Sequence, residues 1–63
     1  MTIGKIFELS LIDDKTSIWI RDKELHVLAH GNWYQDNILE YKDREMESFT
    51  WQDDNQFYVD LKD

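Results

Sequence analysis

The sequence predicts an α+β domain: a four-stranded antiparallel sheet made of two hairpins, with a short N-terminal helix packed on one face. Three observations predict it. TSIWIR (16–21) and LHVLA (25–29) are strand-like segments joined by the polar turn Asp22-Lys23-Glu24. EMESFTWQ (45–52) and QFYVDL (56–61) form a second such pair around Asp53-Asp54-Asn55. Ahead of both, apolar residues recur at helical spacing. If that first segment is extended instead, the alternative is an all-β meander.

Each element has its own justification. Thr2 is placed to cap a helix whose buried side would be Ile3, Ile6, Phe7 and Leu11. The shared parity of Phe7, Leu9 and Leu11 keeps a strand open as the alternative over 3–11; the helix is the preferred reading. Asp13-Asp14-Lys15 makes the next turn. In TSIWIR, Ile18 and Ile20 share one face while Trp19 and Arg21 share the other. In the following strand Leu25, Val27 and Ala29 point inward, and the same parity carries Gly31 and Trp33 to the core face, with His26, Leu28, His30 and Tyr34 outward. Gly31 is a candidate bulge or kink that would reset that parity. Whichever way it is set, one of the adjacent rings Trp33 and Tyr34 is inward and the other lies near the surface. Asp36 is a candidate cap for a helical turn through Asn37–Tyr41 anchored by Ile38 and Leu39. In the last strand Phe57, Val59 and Leu61 face in, and Tyr58 and Asp60 face out.

A chain of 63 residues allows one domain, 1–63. It contains no cysteine, so disulfides, thiolate metal sites and thiol nucleophiles are excluded, and stability must come from aromatic packing or self-association. No segment approaches the length needed to span a bilayer. MTIGKIFELSLIDD, with one lysine and acids following at once, does not read as a secretory signal; a cytoplasmic setting is expected.

The charge is 7 minus 14, or −7, and it is uneven. Residues 1–31 hold five acids and four bases (−1), and residues 32–63 hold nine acids and three bases (−6). Such a surface repels phosphate, so neither direct nucleic-acid binding nor an anionic membrane is expected as a partner. Solubility alone accounts for acidic charge in many proteins. A basic protein partner is the functional alternative.

Sequence motifs for chemistry are sparse. His26 and His30 would lie ~13 Å apart on a strand, too far for one metal ion. Asp53-Asp54-Asn55 lacks the glycine and distal glutamate of a calcium loop. Glu45 and Glu47 invite comparison with a catalytic carboxylate pair, but a short sheet with one helix leaves little room for a substrate pocket. The expectation is therefore no enzyme, no cofactor and no metal.

Two surface features carry the functional expectation. Residues two apart on a strand project to one side at ~6.5–7 Å, which Glu45 and Glu47 satisfy. With Glu40, Asp43, Asp53 and Asp54 nearby they could present a spaced row of negative charge that imitates a nucleic-acid backbone. Trp19, Tyr34 and Tyr58 are each out of phase with neighbouring core residues, and outward Trp and Tyr beside charges suit interface anchors. The partner-binding candidates are thus Trp19, Tyr34, Glu40, Asp43, Glu45, Glu47 and Tyr58, serving a protein partner or a homodimer.

The order IWIRDKELHVLAHGNWYQD followed by ILEYKDREMESFTWQDDNQFYVDL resembles short proteins of phages and prophages of low-GC Gram-positive bacteria. In these an N-terminal helix precedes a hairpin and a "gxwyDi…l.reVesi…dn.lvI.l" type segment. The matching positions are Gly31, Trp33, Asp36, Leu39, Arg44, Glu45, Met46, Asn55, Val59 and Leu61, within about residues 16–61; Met46 departs from the β-branched residue more usual there. The resemblance implies a helix-plus-sheet fold and a phage origin and is silent on mechanism. The function expected is a small acidic, non-enzymatic binding protein, phage- or prophage-derived, that contacts a host protein, such as a basic nucleic-acid-handling protein, with inhibition by mimicry as one form the contact could take. The alternative is a self-associating structural module.

Overall fold

The computed structural model describes residues 1–9 and 12–62; Ser10 and Leu11, part of the expected first helix, lie outside the described residues. The elements in chain order are α1 (Ile3–Glu8), β1 (Ser17–Arg21), β2 (Val27–Gly31), α2 (Asp36–Leu39), β3 (Met46–Asp53) and β4 (Gln56–Leu61). Residues 3–8 are therefore helical rather than extended. Thr2 stands at the N-cap with extended backbone, but its side chain makes no capping bond. Asp36 is the first residue of α2 rather than its cap, a position held by Gln35.

The four strands are arranged β2-β1-β4-β3, and the sheet is mixed. β1 pairs antiparallel with β2, and β3 with β4, but the central pair β1 and β4 is parallel, with Ile18 opposite Phe57 and Ile20 opposite Val59. This corrects the expected all-antiparallel sheet. The physical reason lies in residues 32–45. Strands of like direction need a connection of about a dozen residues or more, and this one carries the chain from the β2 edge to the far β3 edge through α2, whose Ile38 is fully buried.

Both helices lie on the same side of the sheet. Ile3 and Ile6 of α1 and Ile38 of α2 close over Ile18 and Ile20 of β1, Ala29 of β2, and Phe57, Val59 and Leu61 of β4. Strict alternation on β1 and β4 produces this, since every second side chain enters the core. α1 is held to the crossing segment by backbone bonds from Ile3 N–H to Arg44 O (3.1 Å) and Gly4 N–H to Lys42 O (2.8 Å).

Two inward assignments on the second strand are corrected. Leu25 and Val27 are exposed: Leu25 sits in the β1–β2 turn with φ +69°, and Val27 starts an edge strand beside a register shift at Ile20/Arg21. Trp33 does not continue the strand parity, because the chain leaves the sheet after Gly31. It reaches the core from a turn, half-buried against Phe7 with ring centroids 6.1 Å apart, while Tyr34 stays in solvent. Among the described residues no helix is long and apolar enough to cross a membrane.

Candidate protein-binding surface

The face opposite the helices is polar and aromatic, and no described helix packs on it. Registers across the sheet place His30, Trp19, Tyr58 and Thr50 side by side on β2, β1, β4 and β3. The rings answer this by stacking. Trp19 lies 3.6 Å from His30 and 5.6 Å from Tyr58 between centroids, with interplanar angles of 17° and 6°. Stacked rings shield one another, so Trp19 and Tyr58 are half-buried while His30 is exposed. The indole N–H of Trp19 donates to Gln56 Oε1 at 2.8 Å, which fixes the ring and satisfies its polar edge.

The next row is ionic. Arg21 Nε donates to Asp60 Oδ1 at 2.7 Å and its terminal nitrogen to Oδ2 at 3.2 Å, a two-pronged pair made possible by the parallel register Arg21↔Asp60. The Arg21 guanidinium also lies over the Tyr58 ring at 4.7 Å, and Ser48 Oγ donates to Asp60. Together these contacts tie the side chains of the open face to one another across the strands.

The acidic candidates are distributed differently from a regular row. Glu45 precedes β3, and its carboxylate accepts from the N-terminal ammonium at 2.9 Å. That bond, with the ammonium's charge and then Lys62 as further causes, holds the Glu45 carboxyl below its ordinary range. The β3 ladder shifts register between Met46 and Ser48, around Glu47, so the pleat does not carry Glu45 and Glu47 through an even alternation. Glu40 and Asp43 are exposed on the crossing segment that follows α2. Of the aromatic candidates, the structure brings Trp19 and Tyr58 together and leaves Tyr34 apart, 52% exposed and edge-on to Trp33.

Several other acids serve turns. Asp13 Oδ1 accepts from Lys15 N–H and the Thr16 hydroxyl, and Asp14 Oδ1 accepts from the Trp33 indole at 2.8 Å. Asp22 Oδ1 accepts from the backbone of Glu24 and His26, and the His26 amide is the chief cause of its lowered pKa. Among the described residues, no three His, Cys, Asp or Glu side chains converge on a point that could hold a metal ion.

Two residues of the surface escaped the sequence reading. Phe49 and Trp51 share the face of the core, opposite Val59 and Phe57, yet they sit on the outermost strand beyond the reach of the helices. They remain 42% and 40% exposed while packing on Phe57 at 5.4 and 4.8 Å. Their i, i+2 spacing within SFTWQ was the available signal: two large rings on one face of a strand bounded by acids. Comparison with protein-family models, with curated proteins and with solved structures gives no match.

Proposed function

We propose that the chain is a small acidic, non-enzymatic protein-binding domain of phage or prophage type that docks on a basic, nucleic-acid-handling protein of its host and inhibits it. The observation that carries this reading is the uncovered sheet face with its ordered row His30–Trp19–Tyr58 across three strands. A pre-stacked aromatic plate loses little conformational freedom on docking, which favours affinity. The surrounding charge of −7 supplies complementarity to a basic partner and repulsion from nucleic acid itself. The engagement of Asp13, Asp14, Asp22 and Asp60 in turn and sheet contacts supports a non-catalytic role for these carboxylates.

The test is affinity capture from a bacterial lysate with the wild-type chain and with Tyr58→Ser. The expected result is a basic protein retained at low salt, released by roughly 0.5 M salt, where charge pairs are screened within a few ångströms, and weakened by the substitution. Absence of any salt-sensitive partner refutes the reading. Self-association is the second reading, favoured by the unpaired outer edge of β3 and the exposed Phe49 and Trp51; a concentration-dependent dimer by light scattering would support it.

A further inference from the structure

The outer edge of β3 is an incomplete sheet edge that the chain itself has begun to fill. On one side of its entry, Lys62 N–H donates to Glu45 O and Met46 pairs with Leu61 of β4. On the other side Met46 N–H donates to Met1 O at 3.0 Å, Ile3 N–H donates to Arg44 O at 3.1 Å, and Thr2 forms an antiparallel bridge with Glu45. Thr2 thus makes a single antiparallel bridge just ahead of β3, on its outer side. Among the described residues, β3 past Met46 is the outermost strand of the sheet.

Natural edges are blunted by lysine, proline, β-bulges or a covering element. Proline is absent from the chain and β3, MESFTWQD, has no basic residue. Its register shifts fall at Met46/Ser48 and Trp51/Asp53, which leaves Ser48–Trp51 as a regular stretch between them. Phe49 and Trp51, on the core face of that stretch, form an apolar shoulder against Phe57 that an added strand would cover.

Charge decides the occupant. A symmetric antiparallel pairing of two copies along Ser48–Trp51 would bring the Glu47 end of each copy against the Asp53 end of the other, and like charges facing one another there are destabilising. Glu47, Asp53 and Asp54 instead suit lysine or arginine. We propose, on the basis of the docking reading above, that β3 accepts an extended segment of a basic protein as an antiparallel strand continuing the line of Met1–Ile3. That segment alternates apolar residues, which lie along Phe49 and Trp51, with basic ones directed to the flanking acids. Backbone pairing gives the contact its geometry, and the adjoining row through Thr50 to Tyr58 extends it onto the open face.

The probe is a blocked heptapeptide of alternating lysine and valine. Its controls are a glutamate–valine peptide and a lysine–valine peptide N-methylated at every residue, which can donate no backbone hydrogen bond to a sheet edge from either side. Amide hydrogen exchange is followed along β3, with resonances of Trp19 and Tyr58 recorded in parallel. At saturation the lysine–valine peptide is expected to slow exchange about tenfold or more at those amides of Glu47–Gln52 that point away from β4, as stable backbone pairing requires. Neither control should do so, and Phe49→Thr with Trp51→Thr should weaken binding about tenfold, since each ring loses a covering contact. Binding that shifts Trp19 and Tyr58 but leaves the β3 amides unchanged overturns strand addition while leaving the docking reading intact. Equal binding by the N-methylated peptide overturns it as well, and so does β3 protection in the free protein that grows with its concentration, which assigns the edge to a second copy. Lack of binding by the lysine–valine peptide also overturns it, and the docking reading is then decided by the lysate capture alone.

Discussion

Arg21 and Asp60 are neighbours only because β1 and β4 run parallel in one register, so the coupling between them tests the topology itself. The guanidinium reaches both carboxylate oxygens, at 2.7 and 3.2 Å, with the two side chains only 20% and 18% exposed. Fully exposed pairs couple by ~0.2–1 kcal/mol, and hydrogen bonds to charged groups that are shielded from water reach ~1.5–3 kcal/mol. The Arg21–Asp60 pair lies between these limits, which gives a coupling of about 1–2 kcal/mol. In a domain of this size total stability is roughly 3–9 kcal/mol, so the effect is a large fraction of the whole. The assay is a double-mutant cycle with Arg21→Met, Asp60→Asn and the pair, each unfolded in urea. Each single substitution should lower stability by about 2 kcal/mol, shifting Tm by ~8–16 °C, and the double should lose less than the sum by the coupling. An antiparallel β1–β4 pair that kept Trp19 opposite Tyr58 would place Arg21 opposite Gln56 instead. Asp60 would then be ~13 Å from that position along the strand, beyond any contact. A coupling under about 0.5 kcal/mol would refute the parallel register.

Three further outcomes are expected. A Cβ on Gly31 would collide with the Gln35 side chain, whose Oε1 accepts from Asn32 N–H, so Gly31→Ala should destabilise by about 1–2 kcal/mol and by measurably less when Gln35→Ala is already present, as thermal unfolding of the four variants will read. Leu25 holds a positive φ of 69° while 58% exposed, so Leu25→Gly should raise stability by about 0.5–1 kcal/mol in chemical denaturation by relieving the left-handed conformation. The Asp22 carboxyl is held below its usual value of 3.8 first by the His26 amide; desolvation, the next largest effect, raises it, and the Glu24 amide and the charge of His26 lower it further. Because the folded pKa is the lower one, the contribution of Asp22 is fully present above pH 3.8 and disappears as pH falls through the depressed value; Asp22→Asn should therefore flatten the acid limb of the stability profile below pH 3.8, and a carboxyl NMR titration should find Asp22 ionising below that value.

Much of the layout was legible because period-two alternation is enforced by the pleat. QFYVDL reads Phe57, Val59 and Leu61 into the core and Tyr58 and Asp60 out of it, and the structure has them so. The segments at 16–21 and 45–52 became strands within one residue at each end. Alternation is silent on which strands lie side by side, however, because a strand buried on one face carries the same pattern beside either neighbour. The sign of the central pairing was written only in the length and content of residues 32–45, where a buried Ile38 marks a segment that crosses the sheet and does not merely turn. Leu25 and Val27 were misread for a related reason. Parity assigns a face only within a regular strand, and burial additionally requires something above that face; Leu25 lies in the turn outside β2, and the register shift sets Val27 opposite the outward-facing Arg21. The same omission hid Phe49 and Trp51, inward by direction and exposed by position. Of the site, the outward sense of Trp19 and Tyr58 could be read from single strands; their stacking with His30 could not, since it depends on three registers meeting.

The uneven charge acquires a structural sense from these edges. β3 has neither the lysine nor the proline that usually protects an outer strand. It is flanked instead by Glu45, Glu47, Asp53 and Asp54, and two copies approaching edge to edge would each bring a charge of −7 to the encounter. Repulsion of that kind acts before contact, over about a Debye length of 8–10 Å at moderate salt, and discourages self-pairing without closing the edge. Proline in the strand would block every strand alike, and lysine would attract a second copy of this acidic chain, whereas acids turn away another copy and admit a cationic strand. On the proposed reading the negative half of the sequence therefore does two things with one set of residues. It keeps an aromatic strand with an open outer edge from pairing with its own kind at ordinary concentration, and it selects the class of segment allowed to complete the sheet.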